Sequence, residues 1–269
     1  LHDALPISPP LPPSQNAAFE LQQIFSEMTD GTFSMSDAGK TNKDIVELID
    51  LCWNPSSDND FSAELTKNQE KIKNILGKEH FRKIFELCNQ VALKPGMNFN
   101  HDYNQGPALL LPHLQSFRDI SRLLIIKAQL ELLDGQRDKA WDTILVAFKI
   151  SSFLRDEPII ISQLVRIYCD RMLFEFLESN LPAYGISNDH AKKLIVVLVT
   201  ARSLHPSCMK KAIDVERLSF AKLYEHILSG KIDIFSLYGD VRINNIFFIG
   251  FLRSPFIKNF MKKDYAEYI

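Results

Sequence analysis

His101, Asp102 and His113 form the tightest set of metal-type ligands in the sequence, on one loop ahead of its most apolar stretch. Imidazole and carboxylate together suit a divalent ion such as zinc. A catalytic centre, however, needs about three protein ligands, each oriented by a second partner. The gap of twelve residues between the two histidines matches no established ligand spacing. The set therefore reads as loop polarity, and no metal ligand is assigned. His80, His190, His205 and His226 are scattered, with no H-E-x-x-H among them.

Glu216 falls on an apolar stripe between Ile213 and Phe220. A carboxylate there must be paired, hydrogen-bonded or protonated. As an acid or base it would carry a raised pKa. The simpler reading is a buried ion pair that fixes how two helices meet, with Arg122 as a possible partner. Gln163, Arg166 and Asp170 make a polar strip on an otherwise apolar helix, read as a solvated face with an i, i+4 charge pair; a lined groove is the alternative. No nucleophile elbow, phosphate loop or dinucleotide fingerprint is present. No catalytic, cofactor-binding or metal residue is assigned from these patterns.

The elements that would carry these residues are helices. Apolar residues recur at three and four over 15–29, 42–52, 63–76, 79–92, 113–134, 138–154, 158–180, 188–203 and 207–228. Thr41 with Asp44 three positions on suggests a capping box, and Ser187 a cap for the helix at 188. Gly31, Gly77, Gly135 and Gly230 end helices. Ile161, Leu164, Val165, Tyr168, Met172 and Phe176 read as the buried stripe of 158–180. Ala191, Leu194, Ile195 and Leu198 read as that of 188–203. From Pro55 onward the prolines sit between helices or in first turns. Residues 231–252 are ambiguous between a hairpin and a loop with a short helix, and Ser254-Pro255 opens a further helix. The junction from Leu130 to Phe148 looks like the turn of a tetratricopeptide unit, although no second copy follows at fixed spacing.

Composition agrees with an all-α domain. The chain has 269 residues, 46% apolar and 24% charged, and only ten glycines. A net charge of -2 carries no basic surplus, which argues against nucleic acid as a partner. Cys52, Cys88, Cys169 and Cys208 lie far apart with no C-x-x-C pair, so a zinc ribbon is excluded and their disulfide state stays open. Cys169 reads as a small buried hydrophobe. The longest apolar stretch, Ile159 to Leu177, is interrupted by Arg166, Asp170 and Arg171 and is no membrane span. Residues 1–8 resemble a translated sequencing adaptor and are set aside as an artefact, and 9–14 form a proline-rich linker. The helical domain, 15–269, has sub-parts 15–92 and 111–269, and its last helix reads as cut short.

Residues 111–172 carry a Leu-Pro-x-Leu start (Leu111 to Leu114), Arg118 and Arg122 in the first helix, a Gly135-to-Ala140 junction, and Glu-Pro-x-Ile-Ile-x-x-Leu-Val at Glu157 to Val165. The opening PLPPSQNAAFELQQIF adds a proline-rich entry and an Asn-Ala-Ala helix. This pattern resembles a group of uncharacterised bacterial helical proteins, over Pro10 to about Gly230. The resemblance implies a membrane anchor just ahead of the proline-rich segment and an extracytoplasmic helical domain; it implies no catalytic residues and no cofactor. The expectation is an all-α array of antiparallel hairpins, about ten helices, tetratricopeptide-like in its centre. It would bind a protein or peptide rather than catalyse a reaction, and would touch a membrane only through a lost N-terminal anchor. An enzyme of the hydrolase kind with a dispersed site around Glu216 or His101, and a cytoplasmic helical regulator, are the alternatives.

Overall fold

Every periodic stretch up to Leu228 becomes helix in the computed structural model. It describes residues 10–228 except 31, 32, 38, 54–60, 104 and 106–108, and leaves out the side chains of 62, 201–206, 220 and 222–228. Nine α-helices and no sheet form among these residues: α1 (Ala18–Glu27), α2 (Lys43–Cys52), α3 (Phe61–Lys67), α4 (Gln69–Leu76), α5 (Glu79–Ala92), α6 (His113–Leu133), α7 (Arg137–Phe153), α8 (Ile160–Tyr184) and α9 (Asn188–Leu228). The chain is all-α, as its periodicity predicts. The expectations at residues 1–8, Gly31, Pro55, Pro107 and 229–269 lie outside the described residues.

Two compact units divide the chain. The first comprises residues up to His101 and Leu110–Ile213; the second takes Asp102–Leu109 and the chain from Asp214 on. In the first unit α6 lies along α7 as an antiparallel hairpin and also packs on α8, while α1 packs on α5. Gly135 makes the α6–α7 turn at φ +75°, a conformation open to glycine because it has no Cβ. Ala140, fully buried, lets the two helices approach closely. Leu21, Ile24, Phe25, Phe81, Phe117, Trp141 and Phe153 fill the centre of this core. Cys169 sits within it too, its thiol pushed up to about 11 chiefly by burial.

Several local expectations need correction. The stretch 63–76 is two helices, broken at Asn68. The cap of α2 is Asn42 rather than Thr41; its Oδ1 accepts from the Asp44 N–H at 2.9 Å. Residues 188–203 and 207–228 are one helix that runs through Pro206, and Pro182 lies inside α8. Proline removes a single N–H bond, and both helices continue past it.

The largest correction concerns the facing of α8. Ile161, Leu164 and Tyr168 are 49%, 50% and 39% exposed, whereas Gln163 and Arg166 are buried. The polar strip points into the protein and part of the apolar stripe points out. Ile195 on α9 and Ile213 further along it are also exposed.

Candidate functional site

Three separate segments bring His101, His113 and Glu157 together. His113 opens α6 directly after Pro112, whose helical backbone begins the turn. Glu157 precedes Pro158, and a residue before proline is driven out of the helical region. Its backbone is accordingly extended (φ -78°, ψ 115°), which ends the short 3-10 turn Leu154–Asp156 and sends the side chain inward. His101 follows Asn100, the one described non-glycine residue with positive φ (56°). Asparagine tolerates that conformation better than most residues, and the Asn98 side chain supports it by accepting from the Asn100 N–H at 2.7 Å.

The carboxylate meets both imidazoles. His113 Nε2 lies 2.9 Å from Glu157 Oε1 and 3.0 Å from Oε2, and His101 Nε2 lies 3.5 Å from Oε1. The rings of His101 and His113 stack at 5.1 Å between centroids. Phe99 covers both, and Phe117 meets His113 edge-on. His113 and Glu157 are buried, and the His101 side chain is only 6% exposed. Burial alone would raise the Glu157 pKa, but the charge of His113 and the hydrogen bonds and charge of His101 outweigh it, holding the carboxyl at about 2.

A polar network behind Glu157 holds it in place. Gln163, fully buried, donates to the backbone oxygens of Leu154 (2.8 Å) and Glu157 (2.7 Å). Its own oxygen accepts from Arg166 Nε at 3.1 Å. Arg166 pairs with Asp170 at 3.3 Å, and Asp170 accepts from Ser151 Oγ at 2.6 Å. The i, i+4 pair expected here exists, but it is buried rather than solvated.

A second histidine constellation lies at the start of α9. His190 Nδ1 is 2.8 Å from Ser187 Oγ, and Nε2 is 3.0 Å from Asp142 Oδ1. Ser187 borders an open cleft of about 640 Å³ that Arg137, Trp141 and Gly185 also line. The order of groups is that of a serine, a base and an acid. Ser187 Oγ, however, also accepts from the His190 N–H at 3.3 Å, which makes it the expected cap of α9. Here the imidazole ties the cap to α7.

The residues singled out in the sequence therefore fare differently. His101 and His113 come together, but the carboxylate that joins them is Glu157, 44 positions beyond His113. Asp102 is exposed and belongs to the other compact unit. Glu216 is half-buried in that second unit, and Arg122 pairs instead with Asp119 at 3.2 Å and donates to the Tyr168 hydroxyl at 2.9 Å. His80 is half-buried near Asp44 (3.6 Å), and the side chains of His205 and His226 lie outside the described residues. Spacing gave no hint of Glu157; its one local signal is the proline that follows it. No family model, no curated protein and no solved structure matches the chain.

Proposed function

We propose that this chain is a non-catalytic helical interaction domain whose partner is an amphipathic helix with an acidic flank. The observation that carries this is the outward row of Ile161, Leu164 and Tyr168 on α8, each between 39% and 50% exposed. Their spacing of i, i+3 and i+7 is the spacing with which a helical face receives another helix. Tyrosine and arginine are enriched at energetic centres of interfaces. Arg122 sits against the Tyr168 ring, 5.8 Å from its centroid, and donates to its hydroxyl. Arg118, one turn earlier, bonds to the neutral amide of Gln115, whereas Arg122 shares the carboxylate of Asp119. Two cations against one carboxylate leave this rim basic, so an acidic flank on the partner complements it.

The resemblance over residues 10–230 supports placing the domain outside the cytoplasm on a membrane tether. No helix among the described residues is long and apolar enough to cross a membrane. Reading the gene ahead of residue 9 tests the tether: an apolar span of about twenty residues supports it, and a start codon without one removes it.

Two synthetic helices with the same apolar stripe, one flanked by glutamate and one by lysine, test the partner class. The acidic helix should bind the chain at least about tenfold more tightly, as charge complementarity at a rim requires. Leu164→Asp should abolish binding with little change in thermal stability, because Leu164 is half exposed. Equal binding of both helices, or binding that survives Leu164→Asp, defeats the reading.

A further inference from the structure

We propose that His101, His113 and Glu157 bind one divalent transition-metal ion of the zinc class, which fastens the loop ahead of α6 to the starts of α6 and α8. This is independent of the interaction face on α8. It rests on the convergence of three ligand atoms from three parts of the chain, all within 4.8 Å of one another.

The spacing suits such an ion. Ligands at about 2.0–2.1 Å around a tetrahedral zinc stand about 3.3 Å apart. The two histidine-to-carboxylate distances, 2.9 Å and 3.5 Å to the same oxygen, bracket that value. All three ligand atoms lie within 4.8 Å of one another, so a modest contraction would set them around one centre. Glu157 Oε1 is the oxygen facing both Nε2 atoms, and it is fully buried without a well-directed hydrogen bond. A buried acceptor left in that state is costly.

The donor set selects the ion. Two imidazoles and one carboxylate suit Zn²⁺ and its divalent neighbours. Calcium and magnesium favour shells made of oxygen, and copper(I) favours sulfur. The thiols nearest in character, Cys88 and Cys169, are buried elsewhere in the core and raised to about 12 and about 11 mainly by burial. The support for Glu157 is already built: Gln163 holds its backbone oxygen, and Pro158 holds its backbone extended. With all three side chains screened from solvent and Phe99 against both imidazoles, the role is structural: the ion ties an irregular loop to two helices.

The test uses the full chain, stripped with a chelator and titrated with Co²⁺ and Zn²⁺. One Co²⁺ per chain should bind with the intense visible bands of a low-symmetry site. Zn²⁺ should raise the melting temperature by roughly 5 °C or more, and Mg²⁺ and Ca²⁺ should not. His101→Gln, on the loop and the least enclosed of the three, should weaken Co²⁺ binding by about 100-fold or more while circular dichroism shows the helices intact. X-ray absorption on the zinc-loaded wild type gives a readout that needs no variant, with two imidazoles, light oxygen ligands and no sulfur expected. Absence of stoichiometric binding by the folded wild type, undiminished binding by His101→Gln, or sulfur in the zinc shell overturns the proposal.

Discussion

Gln163 donates from its side-chain amide to the backbone oxygen of Glu157 at 2.7 Å. The same amide reaches the oxygens of Leu154 (2.8 Å) and Arg155 (3.3 Å). One glutamine thus satisfies the turn that feeds α8 and aims the carboxylate that meets two histidines.

Replacing Gln163 with leucine, of similar size but without donors, strands those oxygens in a dry interior. The expected loss is about 2–4 kcal/mol of unfolding free energy, measured by urea denaturation. An unchanged midpoint would mean that water serves these oxygens instead.

Arg166 and Asp170 form a largely buried pair, with side chains 4% and 16% exposed. Arg166→Met alone leaves a carboxylate without its cation and should cost roughly 3–5 kcal/mol. Arg166→Met with Asp170→Leu should recover most of that loss. A double-mutant cycle then gives a coupling above about 1 kcal/mol, and additive effects would show that the pair is independent.

Acid should weaken the metal-free chain through Glu157, which faces His101 from the loop and His113 from α6. Its pKa is depressed from the ordinary 4.5 to about 2, so ionisation favours the folded state. That stability is fully present above about 4.5 and is lost as pH falls toward 2. The loss amounts to roughly 3 kcal/mol. Glu157→Gln should flatten the pH dependence in this window; an equally steep profile in the variant would assign the acid sensitivity to other carboxylates.

Gly135 adopts φ +75°, and a Cβ there would meet nothing within 4 Å. Gly135→Ala should therefore cost about 1 kcal/mol, through backbone conformation alone, and Gly135→Asn less. Urea titration of the two variants checks the order. Equal losses would point to something other than the left-handed turn.

The helices were legible because local periodicity records them, and α5 was anticipated to the residue at 79–92. The facing of α8 was not. That helix is apolar on nearly every side, so its stripe could be drawn in more than one direction. What orients it is the demand of three backbone oxygens for the Gln163 amide, which no period reveals. Pro206 misled for a related reason: proline signals a boundary locally, and the continuity of α9 depends on the rest of the helix. In the candidate centre, His101 and His113 could be paired from the sequence, being close in the chain. Glu157 could not, since only the folding of α6 and α7 into a hairpin returns it to them.

Asn16 joins the chain entering α1 to the loop ahead of His101. Its side-chain amide donates to the Asn98 oxygen at 2.8 Å and accepts from the Asn98 N–H at 2.9 Å, while the Ala17 N–H donates to the Gly96 oxygen at 2.9 Å. These bonds close a loop of about eighty residues, so the segment that leads to His101 keeps its place only while the chain entering α1 keeps its own.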